Sequence, residues 1–229
     1  MNKLISVCIP TYEMRGEAVR VLTRSFEMLK KQTYKNFEVV VSDNSDNENI
    51  KNLCESNVYA SLSINYFKNP IKSIAANTNS ALKKAKGDII KILYMDDYLA
   101  HPDSLKKIAE NFKGHWLVTG CEHDDGTRRL NPHYPSYNKK IYLGQNTIGA
   151  PSVLSVKREG MLFFDDKMTW LLDCDLYQRM YAKYGKPIIL NEVNVVIGVG
   201  KHQMTHLLPK FTKIKETIYL LLKYWKNNF

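Results

Sequence analysis

Residues 88–102 read DIIKILYMDDYLAHP, and the interpretation of this stretch decides the fold. Ile89 to Leu93 is a run dominated by Ile and Leu, the pattern of a strand buried on both faces. It ends at two adjacent carboxylates, Asp96 and Asp97. Pro102 then suits the first turn of a new helix. Acids delivered by a strand into the loop before a helix lie at the carboxyl edge of an open α/β sheet, where such sheets bind ligands. Two neighbouring carboxylates repel, so a positive partner is expected, and a divalent cation with oxygen ligands is the simplest. A polar strand-to-helix loop with Asp97 near the helix start accounts for the same residues without a metal.

The same rhythm precedes this stretch. Leu4 to Ile9 is a β-rich run ended by Pro10, so Pro10-Thr11-Tyr12-Glu13 leaves a first strand. Ala18, Leu22, Phe26 and Leu29 recur at helical spacing, giving a helix from about Gly16 to Lys31. Phe37 to Val41 is a second strand that ends in Ser42-Asp43-Asn44-Ser45-Asp46. Ser45 and Glu48 have capping-box spacing for a second helix. Leu62 to Phe67 reads as a third strand. Ile71, Ile74, Ala75, Thr78, Ala81, Leu82 and Ala85 form one face of a third helix, with Gly87 as its stop. Strands alternating with helices over a hundred residues predict an α/β domain: a mostly parallel central sheet with helices on both faces.

Further on, a helix from Pro102 to Phe112 and a strand from Trp116 to Cys121 continue the pattern. From Glu122 to Asn146 the chain turns polar and aromatic, punctuated by Pro132 and Pro135. It reads as an excursion carrying Arg128, Arg129, His133, Tyr134 and Tyr137, either substrate-facing or an ordinary solvated loop. A strand from Val153 to Val156, a helix from Leu171 to Tyr184 and a strand from Ile188 to Ile197 follow. A loop from Gly198 to Thr205 then contains His202 and Gln203. After Pro209, lysines intermix with Ile214, Ile218, Leu221, Leu222 and Trp225. This basic amphipathic helix is of the kind that lies on anionic lipid, or else docks on its own domain. The expected organisation is one domain over 1–206, in two halves (1–100 and 101–206), then the helix at 207–229.

Composition narrows the class. The 229 residues carry 33 Lys and Arg against 23 Asp and Glu, a net charge of +10 that implies an anionic partner. Nucleotide phosphates or an acidic membrane surface fit this; nucleic acid is disfavoured, because no recognition-helix, zinc-finger or RNP signature is present. No apolar run approaches the roughly 20 residues that span a bilayer. The four cysteines form no C-x-x-C pair, which suits reduced thiols in a cytoplasmic protein.

In such a sheet the strand-end loops converge on one rim. They carry Thr11-Tyr12-Glu13, Asp43-Asn44 and Asp96-Asp97. Thr and Tyr can hold a flat base, Asp43 can accept from a ring N–H, and a metal on Asp96 would bridge two phosphates. Together they describe a nucleoside-diphosphate pocket. No G-x-G-x-x-G and no P-loop is present, which disfavours a dinucleotide cofactor or an ATPase. In the helix from Leu171, Asp175 stands four residues before Arg179, the spacing of an ion pair. Asp173 lacks that partner and is freer to face a cleft, where a carboxylate can act as general base.

The ordered series SVCIPTYE, VVVSDNSDN, NTNSALKKAKGDIIKILYMDDYLAHPDSL, GAPSV and TWLLDCDLYQRM resembles the large family 2 of inverting glycosyltransferases with the GT-A fold, from Ser6 to about Thr205. The resemblance implies a nucleotide-binding loop at Pro10, Thr11, Tyr12 and Glu13, and base reading at Asp43. It places Asn77 near the donor, makes Asp96 the metal ligand of the D-x-D element with Asp97 beside it, and makes Asp173 the catalytic base. His202 or His206, with Gln203, falls near the metal or diphosphate. Tyr94 replaces the first Asp of D-x-D, Leu172 replaces the acid before the base, and Ala76 stands where an Arg is common. Lys72 or Lys201 would then meet the phosphates.

The implied function is a hexosyltransferase that uses Mg²⁺ or Mn²⁺ and a nucleotide-sugar donor, a UDP-sugar first. The acceptor would be a glycan or lipid-linked glycan in surface polysaccharide or lipopolysaccharide synthesis. The implied location is the cytoplasm, with peripheral contact at an anionic membrane. A sugar-phosphate nucleotidyltransferase and a non-catalytic nucleotide-sugar-binding module are the alternatives.

Overall fold

The computed structural model describes residues 3–200 and 207–225. Its first half is built on β1 (Ile5–Thr11), β2 (Phe37–Asp43), β3 (Ile64–Lys68) and β4 (Ile89–Ile92). These four pair parallel, in the order β3-β2-β1-β4. Every residue of β1 and β4 is buried, as expected for apolar runs covered on both sides. Helices α1 (Ala18–Lys30), α2 (Asn49–Cys54) and α3 (Ile74–Lys84) alternate with them. The expected α/β domain with a mostly parallel sheet is the one observed.

The sheet continues past β4 in a different manner. β5 (Tyr98–Leu99), α4 (Ser104–Asn111), β6 (Trp116–Asp124), β7 (Arg129–His133), β8 (Leu154–Lys157), α5 (Leu172–Tyr184), β9 (Ile188–Gly198) and α6 (Lys210–Trp225) complete the fold. β8 runs antiparallel between β4 and β6, and β9 is parallel to β6 while pairing antiparallel with β5. That β5–β9 pairing brings the turn after β4 beside the end of β9, which positions the site.

Three local expectations are corrected. Ser45 does not form a capping box with Glu48; its hydroxyl and amide turn back to Asp43, and α2 starts after Glu48 without a side-chain cap. α3 ends at Lys84, before Gly87. Gly87 is required for another reason: a Cβ there would lie 2.6 Å from the Ser6 amide nitrogen and 2.7 Å from the Leu4 carbonyl oxygen. The polar segment after Cys121 does not leave the sheet at once. β6 runs on to Asp124 and turns back into β7 as a hairpin. The chain leaves the sheet only after His133, and Tyr137 stacks on Tyr181 of α5 with ring centres 3.8 Å apart.

Helix α6 is fastened to the domain by polar groups. Glu216 is 5% exposed, and its carboxylate accepts from the amides of Thr169, Trp170 and Leu171 at 2.8–3.0 Å. This supplies α5, whose N-cap Leu171 has no capping side chain, with a carboxylate at its positive end. Lys223 bridges Asp165 and Asp175 at 2.6 and 2.7 Å. All four cysteines are free and buried.

Candidate active site

A cleft of about 630 Å³ opens where the carboxyl ends of β1, β4 and β9 meet the start of α5. One wall comes from the loop after β1. Tyr12 projects its ring at the rim, 39% exposed, while its amide contacts the Met95 sulfur at 3.5 Å. Glu13 lines the same wall, and its carboxylate accepts from the Asp46 amide, tying the β1 loop to the β2 loop. Lys72 enters from before α3, held 2.6 Å from Asp46. Asn77 closes the inner side and is fully committed. It donates to the Thr11 carbonyl at 3.0 Å and accepts from Ser42 at 2.7 Å and Asn69 at 3.1 Å.

Asp96 and Asp97 form the floor's edge and differ in environment. Asp97 is 3% exposed and accepts from the Gly198 amide at 2.9 Å. Burial, then the neighbouring Asp96 charge, hold its carboxyl well above the usual range. Asp96 lines the cleft, and its carbonyl accepts from Arg24 of α1 at 2.8 Å. Arg24 also grips Asp124 at 2.7 Å and lies over the Tyr98 ring, so α1, β5 and β6 hold the acidic turn in place. Gly198 is obligatory, since a Cβ would sit 2.5 Å from the Asp96 carbonyl oxygen. Tyr94, in the first position of the D-x-D element, also lines the cleft. Beneath the turn lies Lys91, wholly buried in β4, which donates to the Ser152 carbonyl. Burial lowers its ammonium to about 7, against the opposing pull of Asp97.

Asp173, in the first turn of α5, stands across from these acids. It accepts from the Asn146 side chain at 2.7 Å and from the Cys174 amide at 2.7 Å. Burial outweighs these bonds and raises its carboxyl to about 6. Asn146 is itself held by the Ile148 and Gly149 amides. Asp173 also borders a second cavity of about 310 Å³, lined by His123, His133 and Asn146. Asp173 therefore borders two adjoining spaces. Its near neighbour Asp175 faces inward with no exposure, paired to Arg179 at 2.7 Å, to Lys223 and to the Tyr224 hydroxyl.

The sequence expectations are met unevenly. Pro10, Tyr12, Glu13, Asn77, Asp96, Asp97 and Asp173 line one cleft. Asp43 and Thr11 do not. Both side chains are fully buried one layer below, and the Asp43 oxygens are occupied by the Ser45 amide, the Ser45 and Tyr66 hydroxyls and Lys68. Asn44, the next residue, lines the cleft. His202, Gln203, His206 and Lys201 lie outside the described residues. Arg24, Lys91, Asn146 and Glu216 were missed. Each acts on a partner more than 25 positions away, except that Asn146 also has a local signal, an Asn three residues before Gly149 in a turn.

No group of three or more metal-binding side chains is present among the described residues. The chemistry still suits a hard cation, because Asp96 offers an oxygen ligand at the cleft edge and Mg²⁺ commonly takes one or two carboxylates plus substrate phosphates.

Comparison with known proteins decides the family. The family model described as "Glycosyl transferase family 2" matches residues 6–172. The chain belongs to that family. This glycosyltransferase is 25% identical over 224 residues to WcaA of Escherichia coli (strain K12), a protein named for colanic acid biosynthesis, covering 92% of this chain and 78% of that one. GlyG, a glycosyltransferase of Streptococcus pneumoniae serotype 4, is 30% identical over 98 residues, covering 42% of this chain and 31% of GlyG. Among solved structures, S. aureus TarS 1-349 in complex with UDP-GlcNAc superposes with a TM-score of 0.69 at 17% identity, covering 95% of this chain and 65% of that one. The mannosyltransferase PcManGT from Pyrobaculum calidifontis, in complex with GDP-Man and Mn2+, gives 0.67 at 16% identity, covering 98% and 64%. At those identities the likeness is one of fold, and the chain spans about two thirds of each of these two.

Proposed function

We propose that this glycosyltransferase moves a hexose from a nucleotide-diphosphate sugar, a UDP-sugar first, to a hydroxyl of a glycan or lipid-linked glycan acceptor, with inversion. The observation that carries this reading is Asp173, a carboxyl raised to about 6 that borders both cavities. The larger cleft takes the donor. Tyr12 stacks on the base while Pro10, Glu13 and Asn44 surround it, and Lys72 approaches the diphosphate. Asp43 and Thr11 support this wall from behind, and Asn77 closes its inner side. Asp96, with Asp97 beside it, would hold Mg²⁺ or Mn²⁺, which when bound offsets charge on the departing diphosphate.

The smaller cavity takes the acceptor. Asp173 removes the acceptor hydroxyl proton as that oxygen bonds to the anomeric carbon from the face opposite the diphosphate. The nucleoside diphosphate leaves with the electron pair of the broken bond, and one displacement inverts the configuration. Asn146 keeps the carboxylate aimed between the two spaces. TarS with UDP-GlcNAc and WcaA support the donor class and a role in polysaccharide synthesis; PcManGT with GDP-Man and Mn2+ supports the metal and keeps GDP-sugars in the screen.

The test is release of nucleoside diphosphate from a panel of UDP- and GDP-sugars, with Mn²⁺ and with EDTA, for the wild type and Asp173→Asn. The reading expects metal-dependent release by the wild type and donor binding without turnover in the variant. Unaltered turnover in D173N would remove the base assignment.

A further inference from the structure

Helix α6 presents its apolar side to solvent. Phe211, Ile214, Ile218, Leu222 and Trp225 are 76, 58, 51, 66 and 66% exposed. Their spacing of three, four, four and three residues sets them in one stripe along the helix. Glu216, Leu220 and Tyr224 lie on the opposite side and are buried against the domain. The helix is thus fastened by Glu216, Tyr224 and Lys223, and its most apolar face is left outside. A contiguous patch of this kind marks an interaction surface.

We propose that this stripe seats the protein on an anionic lipid bilayer. The helix has 16 residues, roughly 24 Å at 1.5 Å per residue, and no helix among the described residues is long and apolar enough to cross a membrane. A short helix of this character lies in the interface plane. Charge selects the lipid. Lys210 and Lys215 are exposed at the two borders of the stripe, while Glu216, the one acid in α6, is turned inward. The whole chain carries +10. A second copy laid on the same stripe would bring lysines to a surface that offers them no acid. An anionic headgroup layer meets them with opposite charge and takes up the stripe between.

The same helix reaches the cleft. Through three bonds Glu216 holds residues 169–171, of which Thr169 and Trp170 line the cleft, and Asp173 follows two residues later. Lys213 also lies 5.6 Å over the Trp170 ring. A bilayer under α6 thus sets the height of the cleft above it, as an acceptor carried on a lipid requires. That last link rests on the proposed function; the docking itself rests on the helix face.

The test is co-sedimentation of the full chain with phosphatidylcholine vesicles made with and without phosphatidylglycerol. The wild type is expected to sediment with the anionic vesicles, and salt is expected to weaken it. Replacing two apolar anchors, Ile218→Asp with Leu222→Asp, is expected to cut binding about tenfold or more, and Lys210→Glu with Lys215→Glu to abolish the preference for anionic lipid. Thermal melts report whether each pair folds, and should the aspartates unfold the helix, the lysine pair decides. Equal vesicle binding by the folded variants, no binding by the wild type, or a wild-type dimer in sedimentation velocity that the aspartates dissolve would each overturn the proposal. Nucleotide-sugar hydrolysis without vesicles is followed in parallel and should survive in I218D/L222D. A chain that binds vesicles but hydrolyses no nucleotide sugar defeats the donor reading and leaves the docking standing.

Discussion

Asp43 and Asp173 belong to two regions that a carboxylate can occupy in the same enzyme. Asp43 lies beneath the cleft among donors: Ser45, Tyr66 and Lys68 all point at it. Burial alone would raise its carboxyl, yet these bonds outweigh it and hold it below the usual value. Asp173 lies at the wall, where the Asn146 side chain and the Cys174 amide are among its donors, and burial wins there. The first carboxylate is held more firmly as an anion; the second is held less firmly. Between the two, the balance of burial against donated bonds sets the direction, and Asp43 has the ammonium of Lys68 among its donors.

Exchanging each for its amide is the strongest way to break that contrast. Asp173→Asn should lower transfer about 10²–10⁴-fold and raise the melting temperature, because it removes a disfavoured charge. Asp43→Asn should do the opposite. It strands Lys68 and the hydroxyl donors, with an expected loss of about 3 kcal/mol in denaturant unfolding, while the folded fraction keeps most of its turnover. A D43N enzyme as stable as the wild type, or a D173N enzyme as active, would erase the distinction.

The pH dependence sharpens it. As the proposed base, Asp173 must be ionised, so kcat should fall about tenfold per unit below about pH 6 and level off above. Asp43 has a depressed folded pKa. Its contribution to stability is therefore full above the unfolded carboxylate value of about 3.9 and is lost as pH falls through the lower folded value. Activity should thus fade near pH 6 in a protein whose fold persists to about pH 4, which parallel rate and circular-dichroism titrations would separate.

A smaller effect tests whether the Asp173 wall depends on α6. Glu216→Gln keeps the shape but weakens the charge-assisted bonds to residues 169–171, for a loss of about 1–2 kcal/mol in unfolding and a several-fold rise in acceptor KM. Unchanged kinetics would mean that the wall keeps its form without α6.

The parallel half was legible because each strand is a run of apolar residues with a polar stop, and local periodicity reports it. Asp96, Asp97 and Asp173 were legible for a related reason: a strand end and a helix start announce themselves in the chain. The Asp175–Arg179 pair followed from helical spacing alone. Asp43 was placed correctly on its strand end, but nothing local says that Tyr66 and Lys68 of β3 will enclose it.

By itself, then, the order of residues determined the α/β class, the rim at which three loops meet and the acids that stand there. Only the tertiary structure decided which acids are enclosed, that Arg24 and Gly198 hold the acidic turn, and that α6 turns its apolar face outward. The physical reason is range. Strand and helix patterns arise from neighbours a few residues apart, whereas burial and charge balance depend on donors and carboxylates delivered from distant parts of the chain. Helix α6 illustrates the limit: its periodicity revealed two faces, but Glu216, Lys223 and Tyr224 reaching distant partners determined which of them meets the protein.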